Sequence, residues 1–311
     1  MQSRSGLRIL LSLAAAFLLS TPAQALVFRA YVASDGSDAN PCTLPQPCRL
    51  LPAALAAVAD GGEIWMLDSA NYNASTVVVA KSVSIIAVPG AIGSVVAAGG
   101  PAISIAASGL TVVLRNVVVV PLPGAGGTNG VTMTGASTLV IEDSVFARLI
   151  AGVDAAAGRV WVTNSTFRNM NWALIVRPGV RADVSGSKFS RNSVSLFAYA
   201  GSAGTSSISA SDSVFASDDF AISAQSDIAG ATTAINLTRC TVTHATIAGL
   251  WVSAVASSTA YVSFGSSMVT KNAAGYQKIV SGGSESIYTH GNNQFFDNGP
   301  SSGTWTQVGL Q

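Results

Sequence analysis

Charge is scarce in this chain of 311 residues: Asp, Glu, Lys and Arg make up 10% of it, where ~25% is usual. Sixteen Lys and Arg face fifteen Asp and Glu, and no basic cluster stands out. The electrostatic footprint of a nucleic-acid binder is therefore missing. Three cysteines and two histidines offer no zinc-spaced set, and neither a phosphate-cradling Gly loop nor a Ca²⁺-binding nonapeptide repeat occurs. No metal or cofactor is expected on these grounds. Ser, Thr, Asn and Gly carry the polar work, which suits strands and turns meeting uncharged or weakly charged partners.

Residues 1–25 read as an export signal. Arg4 and Arg8 form a basic start, Ile9 to Leu19 is apolar or small apart from one Ser, and Ala23-Gln24-Ala25 is an A-x-A cleavage site. The apolar run is too short for a bilayer, which takes ~20 residues, and no later segment is long enough either. Cleavage after Ala25 would leave a chain from Leu26 to Gln311 in the periplasm or outside the cell. Losing Arg4 and Arg8 takes its formal charge from +1 to −1.

In that compartment Cys42 and Cys48, close together in a Pro-rich stretch, read as a small-loop disulfide. A metal site there is the weaker reading, with no His or further Cys nearby. Arg49 to Ala59 is the one good helix candidate, Leu- and Ala-rich and stopped by Asp60-Gly61-Gly62. Residues 26–62 are thus expected to form an N-terminal cap.

Between residues 119 and 295 one short pattern recurs eight times, each copy ending at Val119, Phe146, Phe167, Phe189, Phe215, Val242, Val269 or Phe295. The intervals, 21 to 27 residues, are those of stacked repeats. Seven and five residues before each terminal position stand mostly apolar residues (Leu139 and Ile141, Val160 and Val162), the alternation of a half-buried strand. Tyr288 and His290 fill these places in the last repeat, where His290 would close the core. Three before stand Asn116, Asp143, Asn164, Gly186, Asp212, Arg239, Ser266 and Asn292, mostly residues that tolerate a left-handed backbone and so mark a tight bend. Two before stand small residues, mostly Ser, with Cys240 replacing one of them as a buried, inert thiol. A third strand follows, with inward pairs such as Val153/Ala155 and Leu174/Val176. Three short strands per repeat describe a β-solenoid of about nine or ten coils over residues 63–311, all-β, its N-terminal end plugged by the short helix.

The opening segment carries a resemblance. Tyr31-Val32, Asp35-Gly36-Ser37-Asp38-Ala39-Asn40-Pro41, Pro47-Cys48-Arg49, Gly61-Gly62-Glu63-Ile64 and Asn71-Tyr72 are similar to the start of right-handed parallel β-helix proteins of the pectate-lyase-like superfamily. The resemblance covers nearly all of the chain after residue 25. It implies the single-stranded right-handed parallel β-helix. It does not imply one activity, since the superfamily holds lyases, hydrolases, epimerases, adhesins and proteins with no known activity.

By that analogy a polysaccharide groove would lie over the third strand, whose outward positions are Asp154, Ile175, Arg177, Phe197, Tyr199, Ser223, Gln225, Trp251 and Ser253. One carboxylate among nine is too few for a Ca²⁺-dependent lyase site. Arg177, Phe197, Tyr199 and Trp251 instead form a candidate glycan-binding set, aromatic rings for stacking and a guanidinium for a carboxylate or hydroxyl pair. Long loops folding over them as satellite packing is the alternative. The loop entering this strand brings Asp218 and Asp219, His244 and Lys271 onto neighbouring coils. They read either as an acid/base cluster or as an Asn/Asp turn ladder with solvated charges around it. Trp161, outward on the first strand between Arg159 and Arg181, raises the binding question on another face. Two functions therefore stand: a non-catalytic, exported protein that contacts polysaccharide, or a polysaccharide lyase or hydrolase acting on an acidic chain.

Overall fold

The computed structural model describes residues 26–124, 126 and 128–309, and the expected leader 1–25 lies outside the described residues. One repeat runs through the strands Thr138–Glu142, Val145–Ala147 and Ala151–Ala155 before the next begins at Arg159. Each strand pairs in parallel with its counterpart one repeat on: Leu139 with Val160, Phe146 with Phe167, Val153 with Leu174. The product is a right-handed parallel β-solenoid of about nine turns. Its three sheets hold twelve, ten and nine strands and are called here the first, second and third sheets.

Two bends per turn make the triangular path, and each is a ladder of left-handed backbone. Asn116, Asp143, Asn164, Gly186, Asp212, Arg239 and Ser266, between the first and second sheets, have φ from 48° to 57°. This is the bend that the column of Asn, Asp and Gly announces. A second ladder joins the second and third sheets. Arg148, Asn169, Arg191, Ser217, His244, Lys271 and Asp297 have φ from 55° to 61° there, although few of these residue types favour that conformation. Their backbone is held by bonds to the next turn, such as Arg148 N–H to the Arg168 carbonyl at 3.1 Å.

Like residues meet along the axis. The rings of Phe146, Phe167, Phe189 and Phe215 stack at 4.8, 5.1 and 5.0 Å, the coil spacing itself. Beside them runs a serine ladder. Ser144, Ser165 and Ser187 each offer Oγ to the backbone N–H of the preceding turn at 3.1 Å and donate their hydroxyl proton to the carbonyl two residues back. Cys240 occupies the same ladder, buried and free, its Sγ 3.4 Å from the Thr238 carbonyl. Burial also pushes its thiol pKa up, so the inert reading of this cysteine fits its surroundings.

At the N-terminal end Cys42 and Cys48 form the expected disulfide. The helix, α1, covers Leu51–Ala57, shorter than the expected 49–59, with a Pro at its start. Val58 leaves it in extended conformation and opens the strand Val58–Met66. Asp60-Gly61-Gly62 therefore does not follow the helix as a stop but lies in a bulge of that strand, where pairing jumps from Val27–Val58 to Arg29–Glu63. The last repeat departs by one residue: Ile287 and Thr289 face inward, registered with Val262 and Phe264. Tyr288 consequently faces out beside Ser263, and His290 does not close the core but sits half-buried with Nε2 3.1 Å from Ser263 Oγ.

Candidate functional site

The third sheet places its outward columns as the alternation requires. Ile175, Phe197, Ser223 and Trp251 fall in one register, so the Phe197 and Trp251 rings are two turns apart, ~10 Å by coil spacing. Tyr199 lies in the neighbouring column, registered with Gln225 and then Ser253. Phe197 and Tyr199 tilt against each other at 5.3 Å between centroids, while Trp251 and Phe220 meet in a T-shaped contact at 5.9 Å. All three rings are half-buried rather than free-standing. Ile175 is buried despite facing outward, between Asp154 and Phe197 in its column.

Arg177 is engaged within the fold. Its Nε and Nη2 donate to the two carboxylate oxygens of Asp154 on the preceding turn, at 2.8 and 2.9 Å. The bidentate pair fixes the guanidinium beside Asp154 and raises its already high pKa. A shallow depression of about 430 Å³ opens beside it, lined by Arg177, Pro178, Tyr199, Gly201 and Ser202. The third-sheet face thus offers two aromatic spots separated by the buried Ser223, with Gln225 in the next column donating its amide to Asp227 at 2.8 Å.

The second candidate group does not converge. Asp218 points into the solenoid and is fully buried, accepting the Asn192 N–H on Oδ1 at 2.8 Å. It is one rung of an internal amide ladder: Met170 N–H bonds Asn192 Oδ1, Ala245 N–H bonds Asn272 Oδ1, and Asn272 N–H bonds Asn298 Oδ1. Asp218 Oδ2 has no hydrogen-bond partner, and burial pushes the carboxyl pKa up to about 7. Asp219 is half-buried and takes the Thr246 hydroxyl at 2.7 Å. His244 and Lys271 stand outside on the left-handed bend, exposed, with His244 Nδ1 2.8 Å from Thr243 Oγ1. Asp218, sealed on the inner side of the chain wall, cannot act with the exposed His244 and Lys271 on one substrate.

A further concavity lies over the first sheet. A trough of about 590 Å³ runs from Trp161 across Asp183 and Ser209 to Asn236, one residue per turn in a single register. Trp161, 44% exposed, forms one end. Of this face the sequence disclosed Trp161 and its two arginines but not the hollow, which exists because small residues follow the tryptophan on the next turns. Among the described residues no group of three or more His, Cys, Asp or Glu side chains is disposed as metal ligands.

No protein-family model and no curated protein sequence matches the chain. Among solved structures it is similar to pectate lyase Pel9A, with a TM-score of 0.59 and 15% identity over 92% of this chain and 80% of that one. It also aligns with the GH136 lacto-N-biosidase from Eubacterium ramulus, at TM-score 0.39 and 10% identity over 90% and 67% of the two chains. The periplasmic alginate epimerase AlgG gives 0.32 and 11% over 80% and 77%. The likeness to Pel9A, at that identity, is one of fold.

Proposed function

We propose that this chain is an exported, non-catalytic β-helix protein that holds a polysaccharide against its third sheet. The observation that carries the reading is the outward aromatic column, Phe197 and Trp251 two turns apart with Tyr199 beside them, on one continuous parallel sheet. Aromatic faces bind the apolar faces of sugar rings, and the short, buried Ser223 between Phe197 and Trp251 keeps the space between the two rings free of a bulky side chain. The Arg177–Asp154 pair fixes the floor of that surface. The fold shared with a pectate lyase makes polysaccharide association plausible without transferring its chemistry.

The carboxylates favour binding over turnover. Asp218 is sealed inside the wall, and Asp154 is spent on Arg177. Neither is left to act as acid or base on a chain lying outside. Export is supported by the Cys42–Cys48 bridge and by the leader read in residues 1–25. No helix among the described residues is long and apolar enough to cross a membrane. A glycan array run beside an assay for unsaturated uronate products and new reducing ends tests the reading. Binding without turnover is expected. Turnover of any chain, or an empty array, would reject it.

A further inference from the structure

A second binding face is written in the arginines. All four ion pairs among the described residues join an arginine to an acid on the adjacent turn: Arg29–Glu63, Arg115–Glu142, Arg177–Asp154 and Arg239–Asp212, at 2.5 to 2.8 Å. On the first sheet the habit is broken. Arg159 and Arg181 stand in the same column on consecutive turns, directly registered, so two like charges face each other across one coil step of ~4.8 Å. Both are exposed, and among the described residues neither side chain forms an ion pair or a hydrogen bond. Such a pair is mutually repulsive and gains nothing from the fold itself. A doubly accepting anion placed between the two guanidinium groups would reverse the sign of that interaction.

The surroundings define the rest of the ligand. In the next outward column Trp161, 44% exposed, is registered with Asp183, each lying two residues along its strand from Arg159 and Arg181 respectively. The same trough continues over Ser209 and Asn236, hydroxyl and amide groups at successive coil steps, and a contiguous hollow of about 400 Å³ includes both arginines. An anion clamp in one column thus stands beside a second column made of a stacking ring, the Asp183 carboxylate and two neutral hydrogen-bonding groups, with Glu142 also on the trough wall. We infer that the first-sheet trough binds an anionic polysaccharide lengthwise, its carboxylate or sulfate groups on Arg159 and Arg181 and a sugar ring on Trp161. This site is separate from the third-sheet face and does not depend on that face binding anything.

Calorimetric titration with polygalacturonate, dextran sulfate and neutral dextran tests it on the purified chain. The wild type should bind at least one of the anionic chains and not dextran, and the affinity should fall as NaCl rises. The R159Q/R181Q variant should lose at least tenfold and W161A several-fold, with melting temperatures close to wild type because all three side chains are exposed. R148Q/R168Q removes the same charge from exposed positions elsewhere and should bind as wild type does. The choice between polygalacturonate and dextran sulfate tells carboxylate from sulfate. The inference is overturned if no anionic chain binds, if dextran binds equally well, if R159Q/R181Q binds unchanged, or if R148Q/R168Q weakens binding as much.

Discussion

Asp218 Oδ1 accepts the backbone N–H of Asn192 at 2.8 Å, taking the place that an asparagine amide oxygen takes elsewhere in the same ladder. What distinguishes the rung is its other oxygen. Asn192 and Asn272 use Nδ2 to donate to the Phe167 and Val242 carbonyls one turn back, each at 3.2 Å. The equivalent acceptor for residue 218 is the Phe189 carbonyl, to which a carboxylate has nothing to donate. A protonated carboxyl does, and its pKa of about 7 follows from burial in this setting.

Stability should therefore fall with pH through a defined window. Below about pH 4 the carboxyl is protonated in both folded and unfolded chains, so it carries no penalty. Between about 4 and 7 the unfolded chain releases the proton that the fold retains, and stability declines as pH rises. Above that window the penalty is constant. Asp218→Asn supplies the missing donor at every pH. It should raise stability at pH 8 by ~1–3 kcal/mol and converge on wild type near pH 4. Urea unfolding at a series of pH values measures this; parallel curves for the two proteins would contradict it.

Stability and binding should separate at the aromatic residues. Phe215 is a fully buried member of the ring stack, so Phe215→Ala should cost ~3–5 kcal/mol of stability. Trp251 is half-buried and meets Phe220 in a T-shaped contact, so Trp251→Ala should cost far less stability yet ~1–2 kcal/mol of glycan affinity. Thermal melts of both variants decide the matter. Equal losses would make Trp251 packing rather than platform.

The disulfide should matter at one end only. The Cys42 carbonyl and Cys48 N–H bond Tyr31 at 2.8 and 2.9 Å, so the bridged loop clamps the edge of the first strand, Val27–Val32. A double Cys42→Ser, Cys48→Ser variant should lose ~2 kcal/mol, the chain-entropy value for so small a loop. Hydrogen exchange should rise in residues around Tyr31 and α1 while the Phe stack stays protected. Uniform loss of protection would show that the cap and the solenoid unfold as a unit.

How much of this was legible beforehand depends on which physical constraint each residue answers to. The Phe and Ser columns face the same packed interior turn after turn, so their identities repeat and the strands could be read from them. The bend at Asn116 to Ser266 was legible because Asn, Asp and Gly tolerate a left-handed backbone. The bend at Arg148 to Asp297 was not, because Arg, His and Lys hold that conformation only under tertiary hydrogen bonds. Asp218 was misleading for a related reason: an acid at a turn looks the same in sequence whether it points in or out. The one-residue slip at Ile287 could not be seen where His290 and Tyr288 mimic the expected spacing. The trough beside Trp161 required the register of four strands at once.

Cys240 gives the most economical check on the ladder logic. At its rung the Oγ of a serine is replaced by a larger sulfur, with Sγ 3.4 Å from both the Ala210 and Thr238 carbonyls. Its own N–H still meets Ser267 Oγ at 3.1 Å, so the ladder continues past it. Cys240→Ser restores a stronger donor and acceptor where the neighbouring serines already donate to the carbonyls two residues back at 2.7 to 2.9 Å. The gain from hydrogen bonding, ~1 kcal/mol, opposes a small loss from the void left by sulfur. The melting temperature should stay within a few degrees of wild type or rise. Cys240→Val removes both hydrogen-bonding roles while keeping an apolar side chain, strands the Ser213 N–H, and should cost ~1–3 kcal/mol. If valine were tolerated as well as serine, the column would be held by packing alone and the ladder of hydrogen bonds would be incidental to the fold.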